Sequence, residues 1–186
     1  MGREGRVRVV AGTAGGLWLR VPRGFRSRPT QDRVKQAMFS SLGALVSGAR
    51  VLDLFAGTGS LGIEALSRGA ASCWFVEQDA EAVRTIKENL THCRLVGRVE
   101  QREAGEFLRG WQGEGFDLVL ADPPYEKEQG WLEGAAWFGE LGRAMVSGGY
   151  LAWEHHRKGR VGPVEGWEVV REGRYGETAV TLLRRG

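Results

Sequence analysis

The chain reads as an α/β fold: a mostly parallel, twisted sheet with helices on both faces, an antiparallel terminal strand and a small β-hairpin at the N-terminus. Three observations predict this. Apolar strand-like runs alternate with segments whose apolar residues recur at helical spacing. One strand-to-helix turn is Gly57-Thr58-Gly59-Ser60-Leu61-Gly62, a G-x-G-x-x-G turn in the strand–turn–helix setting that gives such a motif meaning. The last two strands are separated only by a short glycine-bounded turn over residues 173–176, which predicts a hairpin and therefore an antiparallel partner.

Each element follows from its residues. Val7 and Val9, then Leu17, Leu19 and Val21, alternate around a glycine-rich stretch at residues 12–16 and read as a hairpin. Thr30 after Pro29 is a candidate N-cap for a helix carrying Val34, Ala37, Met38, Leu42 and Leu45 on one face. A buried strand over residues 51–55 runs into the glycine turn and a helix through Ile63 and Leu66. A second strand over residues 72–76 ends at Glu77, and the helix over 80–92 turns Ala82, Val83, Ile86 and Leu90 inward. Val99 marks a short strand and residues 103–109 a short helix. A strand over 116–121, a helix over 132–145 and strands over 150–154, 167–171 and 178–183 complete the series. Trp74, Trp137 and Trp153 fall inside these elements, so packing in the core is their expected role.

With 186 residues, 42% apolar and 26% charged, the chain suits one domain with a proper core rather than two. The division expected is a basic hairpin extension over residues 1–28 and the α/β domain over 29–186. No apolar stretch reaches the length of a membrane span, and Met1-Gly2-Arg3-Glu4-Gly5-Arg6 lacks a signal peptide's apolar core, so the expected compartment is the cytoplasm. Cys73 and Cys93 are too few for a disulfide framework or a zinc site. His92, His155 and His156 are expected in solvated or capping roles rather than as metal ligands.

Charge is uneven. Residues 1–36 hold nine basic side chains against Glu4 and Asp32, a balance of +7 that leaves −4 on the rest of a chain whose total is +3. Arginines outnumber lysines there eight to one, which suits bidentate contact with phosphate. Arg3, Arg6, Arg8, Arg20, Arg23, Arg26 and Arg33 are the candidate nucleic-acid contacts. The competing explanation is a charged edge strand that discourages aggregation.

The chemistry sits in two motifs. In the glycine turn, Gly57 and Gly59 allow close approach of the backbone to an adenosine-containing ligand, and Glu77, at the end of the next strand, is placed to bind ribose hydroxyls. That pattern alone leaves nicotinamide dinucleotide and S-adenosylmethionine both open. Asp53 inside the strand, with Phe55 and Ala56 before the first glycine, favours the methyl donor, because a carboxylate there can face the donor's ammonium group. The alternative for Asp53 is a strand-end residue that caps the following turn. In the second motif, Asp122-Pro123-Pro124-Tyr125 follows an apolar strand and offers a carboxylate, a carbonyl held out of any sheet ladder by two prolines, and an aromatic face. An exocyclic amine of guanine or adenine has its lone pair delocalised into the ring. It attacks a methyl donor only when acceptors such as Asp122 and the Pro123 carbonyl hold its N–H groups, while Tyr125 stacks on the base. Asp-Pro as an ordinary turn opener is the competing explanation.

With these motifs in this order, the chain resembles the Rossmann-like class I S-adenosylmethionine-dependent methyltransferases. More narrowly it resembles the RsmD family, which methylates N2 of guanine 966 in 16S ribosomal RNA. Four stretches carry the likeness: residues 8–12 (Arg-Val-Val-Ala-Gly), 28–35 (Arg-Pro-Thr-Gln-Asp-Arg-Val-Lys), 51–65 around the glycine turn, and Asp122 to Tyr125. The resemblance implies a donor site made by Arg28, Pro29, Thr30, Asp53, Phe55, Ala56, Gly57, Gly59, Glu77, Gln78 and Asp122, with Glu103 and Ala104 at the adenine. A surface Glu at a helix start is the alternative for Glu103. It also implies a catalytic set of Asp122, Pro123, Pro124 and Tyr125, no metal, and 16S ribosomal RNA in a small subunit or its assembly intermediate as partner. Three rivals share parts of the pattern. A DNA adenine-N6 methyltransferase usually needs a recognition domain for which there is no room. A protein-glutamine methyltransferase typically begins its tetrapeptide with Asn. A non-enzymatic RNA-binding assembly factor on this fold predicts a damaged donor site.

Overall fold

A computed structural model of the chain describes residues 7–22, 31–124, 135–159, 161–162 and 164–186. In chain order its elements are β1 (Val7–Arg8), β2 (Trp18–Leu19), α1 (Gln31–Leu42), β3 (Arg50–Asp53), α2 (Ser60–Ser67), β4 (Ser72–Glu77), α3 (Ala80–Cys93), β5 (Arg98–Gln101), α4 (Ala104–Gly110), β6 (Phe116–Ala121), α5 (Ala136–Ala144), β7 (Met145–His156), β8 (Trp167–Tyr175) and β9 (Thr178–Arg185). Strands β1 and β2 form the expected antiparallel hairpin, with Val7 opposite Leu19. The other seven strands make one sheet in the order β5-β4-β3-β6-β7-β9-β8. The five strands from β5 to β7 run parallel, and β9 enters antiparallel to β7 and β8. The order reverses between β3 and β6, so the carboxyl ends of β3, β4 and β6 open on one crevice, where open α/β sheets bind ligands.

Alternation along the strands sorts the core into two layers. Val51, Phe75, Leu118, Leu120, Ala152 and Leu182 face one side, packed with the hairpin's Val7, Val9 and Leu19 and with α1, α2 and α3. Leu52, Val76, Val119, Ala121, Leu151 and Leu183 face the other, against α4 and α5. Gly62 lies where α2 meets this sheet. A Cβ there would stand 2.3 Å from the Phe75 ring and 2.8 Å from the Cys73 sulfur, so the third glycine of the turn is what allows helix and strand to touch.

The structure corrects several expected boundaries. The strand over 51–55 ends at Asp53, because the chain turns at Leu54 and Phe55 to begin the glycine turn. Leu45 is exposed rather than inward: α1 stops at Leu42, Gly43 takes a φ of +52°, and Val46 fills the core position instead. Met145 belongs to β7 rather than to the preceding helix. Strand β7 runs the full length from Met145 to His156 through an irregularity in its pairing with β6. Residues 132–134 of that helix, and Thr30 as a cap, lie outside the described residues. The final hairpin turns at Gly176, with φ +65°, because β8 continues through Tyr175. His155 is buried rather than solvated. It stacks on Trp153 with ring centroids 3.9 Å apart, and its Nε2 lies 2.8 Å from Thr181 Oγ1.

The hairpin is fastened to the domain by polar groups that are themselves buried. The carboxylate of Glu64, with no exposed surface, accepts N–H bonds from Val10 at 2.7 Å and Ala11 at 3.0 Å, and pairs with Arg68 at 2.8 Å and Lys35 at 3.6 Å. Lys35 Nζ also donates to the Arg8 carbonyl and, at 2.9 Å, to Ser60 Oγ. Gly12, at φ +83°, passes so close to Ser67 that a Cβ would fall 1.8 Å from its carbonyl oxygen. Removing one partner of a buried pair leaves the other uncompensated at a cost of about 3–5 kcal/mol. Glu64→Gln should therefore lower unfolding free energy by roughly 3 kcal/mol or more, read from urea denaturation, whereas Glu114→Gln on the exposed surface should change it by less than about 1 kcal/mol.

Candidate donor and base site

The crevice is built from backbone geometry outward. The main chain leaves β3 at Asp53, crosses Leu54 to Ala56, and enters α2 through Gly57 at φ +52° and Gly59 at φ +78°. Only glycine adopts such angles without strain. Ala56 ties the turn to the sheet by donating its N–H to the Val76 carbonyl at 3.1 Å, and its own carbonyl accepts from Gly59 at 2.6 Å. A Cβ on Gly57 would meet no protein atom within 4 Å, so the backbone there faces open space. Phe55 is half-buried, edge-on to Trp137 with centroids 5.5 Å apart.

Three carboxylates converge on this crevice. Asp53 is 1% exposed, and its Oδ2 accepts the Gly62 N–H at 2.8 Å, inside the first turn of α2. Burial pushes its pKa up to about 7. The Gly62 hydrogen bond opposes this, and the negative fields of Asp122 and Glu77 add to the rise. Glu77 accepts from Gly57 N at 2.9 Å through Oε2 and from Asp79 N at 2.9 Å through Oε1. A carboxylate offers about four acceptor positions, so two remain for a ligand's hydroxyls. Asp122 is half-buried just past β6, followed by a buried Pro123 and an exposed Pro124.

Of the other sequence candidates, Gln78 is exposed beside Glu77, and Ala104 is buried at the start of α4. Glu103 caps that helix, accepting from Gly105 N at 2.9 Å and Glu106 N at 2.8 Å. Arg8, Arg20 and Arg33 are exposed; Arg8 lies 5.9 Å from the Trp18 ring centroid, and Arg20 pairs with Glu88 at 2.8 Å. Arg3, Arg6, Arg23, Arg26, Arg28, Pro29, Thr30 and Tyr125 lie outside the described residues. Sequence reasoning missed Lys35, Glu64 and Asn89, all buried and all bonded to the hairpin. Their signal was a polar residue at apolar-face spacing in a helix. Among the described residues no group of three or more His, Cys, Asp or Glu could hold a metal ion, and no helix is long and apolar enough to cross a membrane.

The model of the family described as "Conserved hypothetical protein 95" matches residues 7–184. The chain is 34% identical over 184 residues to the "Putative rRNA methyltransferase YlbH" of Bacillus subtilis, covering 96% of this chain and 99% of that one. It is 36% identical over 125 residues to "Ribosomal RNA small subunit methyltransferase D" of Escherichia coli, covering 67% and 63%. Among solved structures, "Putative methyltransferase yhhF from Escherichia coli" superposes with a TM-score of 0.83 at 32% identity, covering 97% of this chain and 98% of the other.

The raised pKa of Asp53 has a consequence for stability. The folded protein keeps a proton that the unfolded chain gives up near pH 3.8, so this contribution is present at low pH and is lost as pH rises through about 7. Relative to Asp53→Asn, the parent should therefore lose roughly 4 kcal/mol of unfolding free energy between pH 3 and pH 8. Parallel denaturant titrations of the two proteins across that range measure the difference directly.

Proposed function

Because the chain belongs to the RsmD family, whose family model is the one described as "Conserved hypothetical protein 95", we propose that it transfers a methyl group from S-adenosylmethionine to the exocyclic N2 amino group of a guanine in small-subunit ribosomal RNA. Guanine 966 of 16S RNA is the target that the family resemblance implies. The observation that carries this reading is the convergence of Asp53, Glu77 and Asp122 around an open glycine turn, with Pro123 and Pro124 next in the chain after Asp122.

These residues fit the donor. Asp53, pushed up to about 7 by burial with the fields of Asp122 and Glu77 adding to the rise, is relieved by a cationic ligand, and S-adenosylmethionine carries an ammonium and a sulfonium. Asp53 would face the ammonium, Glu77 would accept from the ribose hydroxyls with its remaining lone pairs, and Gly57 would let the backbone approach. Asp122 with Ala121 before it, and Ala104 behind Glu103, border the same edge. When bound, the donor supplies an electrophilic methyl on a good leaving group, so no covalent enzyme intermediate is required.

The protein's own work is positioning. Asp122 and the Pro123 carbonyl accept the two N–H bonds of the amine, turning its lone pair out of conjugation and toward the methyl group. Asp122 then takes the proton once methylation has made the nitrogen acidic. The exposed Arg8, Arg20 and Arg33 supply phosphate contacts that locate the RNA without choosing the base. Base extrusion costs least where the nucleotide is already unpaired, which favours a structured RNA loop over duplex DNA.

Three measurements test this reading. Replacing the target guanosine with inosine, which lacks only the 2-amino group, should abolish methyl acceptance while RNA affinity falls far less. Asp122→Ala should lower kcat by about 10² or more with RNA binding largely kept. Methylation of the inosine substrate at an undiminished rate would move the acceptor to a ring nitrogen or a ribose oxygen. Neutralising Arg3, Arg6 and Arg8 together should reduce the slope of log affinity against log salt by up to roughly 0.7 per lost contact. An unchanged slope would assign their charge to solubility.

A further inference from the structure

Asn89 is a fully buried polar residue on the apolar face of α3, between Ile86 and Leu90. Its side chain meets the hairpin and the glycine turn at once. Oδ1 accepts from Arg20 N at 2.8 Å, and Nδ2 donates to the Arg20 carbonyl at 3.0 Å and to the Thr58 carbonyl at 2.9 Å. The amide orientation is fixed by its partners. Arg20 N can only donate and the two carbonyls can only accept, so a flipped amide would lose all three bonds.

Thr58 occupies the centre of the donor turn, 4% exposed, between the two left-handed glycines. Next to it, Gly57 donates to Glu77, the residue assigned to the ribose. Hydrogen bonds therefore join the chain at Arg20 to Asn89 and Asn89 to the Thr58 carbonyl, and the backbone carries the connection on to Gly57, which bonds Glu77. Glycines on both sides leave the turn with little intrinsic preference for its shape, so the grip on the Thr58 carbonyl is what an otherwise permissive segment needs to be preorganised. The adjoining Arg20 guanidinium is 73% exposed and pairs with Glu88 on the surface.

We propose that Asn89 is a positioning residue that makes the basic hairpin a working part of the donor site: by holding Thr58 against the return strand at Arg20, it sets the turn in the conformation that binds S-adenosylmethionine. This rests on the donor assignment made above. Asn89 touches neither donor nor base in this scheme and acts through Thr58, Gly57 and Glu77. A residue that served only packing would lower stability and leave the affinity of the folded molecules for the donor intact.

The test is calorimetric titration of the full chain with S-adenosylmethionine, alongside thermal denaturation of each variant. Asn89→Asp keeps an acceptor for Arg20 N but turns an oxygen toward the Thr58 and Arg20 carbonyls, and should weaken donor binding tenfold or more. Thr91→Ala, on the exposed side of the same helix with its hydroxyl bonded to the Lys87 carbonyl, is the control and should bind as the parent does. If Asn89→Asp fails to fold, Arg20→Pro compared with Arg20→Ala asks the same question from the hairpin side, because only the proline variant loses the N–H that Asn89 holds. Weaker binding in the proline variant, with the folded fraction matched, supports the proposal. A parent that binds the donor and variants that bind it within twofold, despite a lower melting temperature, would reduce Asn89 to a packing role and overturn the proposal while leaving the proposed function standing. A parent that does not bind S-adenosylmethionine would overturn the donor assignment, and the proposal with it.

Discussion

The buried carboxylate of Glu64 is the interaction on which the arrangement of this molecule depends. A lone carboxylate without exposed surface would cost several kcal/mol in lost hydration, and a single lysine does not repay that. Glu64 is instead met by two backbone N–H groups of the hairpin, the Arg68 guanidinium at 2.8 Å and the Lys35 ammonium at 3.6 Å. Lys35 itself has its pKa lowered, burial outweighing the raising fields of Glu64 and Asp32. The cluster is therefore a fastening rather than a source of surplus stability. It ties the hairpin, α1 and α2 together, because the buried charges of Glu64 and Lys35 are satisfied by groups from all three.

What the cluster fixes is the mouth of the site. Ser60, which receives Lys35, opens α2, and the residues immediately before it are the glycine turn. The other end of the hairpin reaches the same turn through Asn89. A two-stranded ribbon of four paired residues has little stability of its own, and here it gains order by sharing its apolar side, Val7, Val9 and Leu19, with the core of the domain. The exposed arginines on its outer side are thereby held at a defined place relative to the crevice.

Within the crevice the electrostatics run against the protein's own stability. Asp53 is buried where two further carboxylates oppose its ionisation, and the one hydrogen bond from Gly62 does not offset burial. A site tuned only for folding would carry Asn or an apolar residue there. Under the function proposed above, a cationic ligand would supply the charge that the fold withholds there.

Much of this was legible in the sequence because it depends on short-range rules. The alternation of strand and helix, the glycine turn between β3 and α2, Glu77 at the end of β4 and Asp122 after β6 are local patterns, and periodicity alone predicted the inward face of α3. The RsmD likeness, carried by four short stretches, pointed to a family whose model spans residues 7–184. Tertiary structure decided what depends on groups distant in sequence. That Glu64 answers Val10 and Ala11 across more than fifty residues, and that Asn89 joins Arg20 to Thr58, cannot be seen from spacing. A polar residue on an apolar helix face announces only that it needs a partner. Which backbone groups arrive to meet it, and how far burial and then neighbouring carboxylates raise the pKa of Asp53, is set by the packing of elements that the sequence lists one after another but does not place side by side.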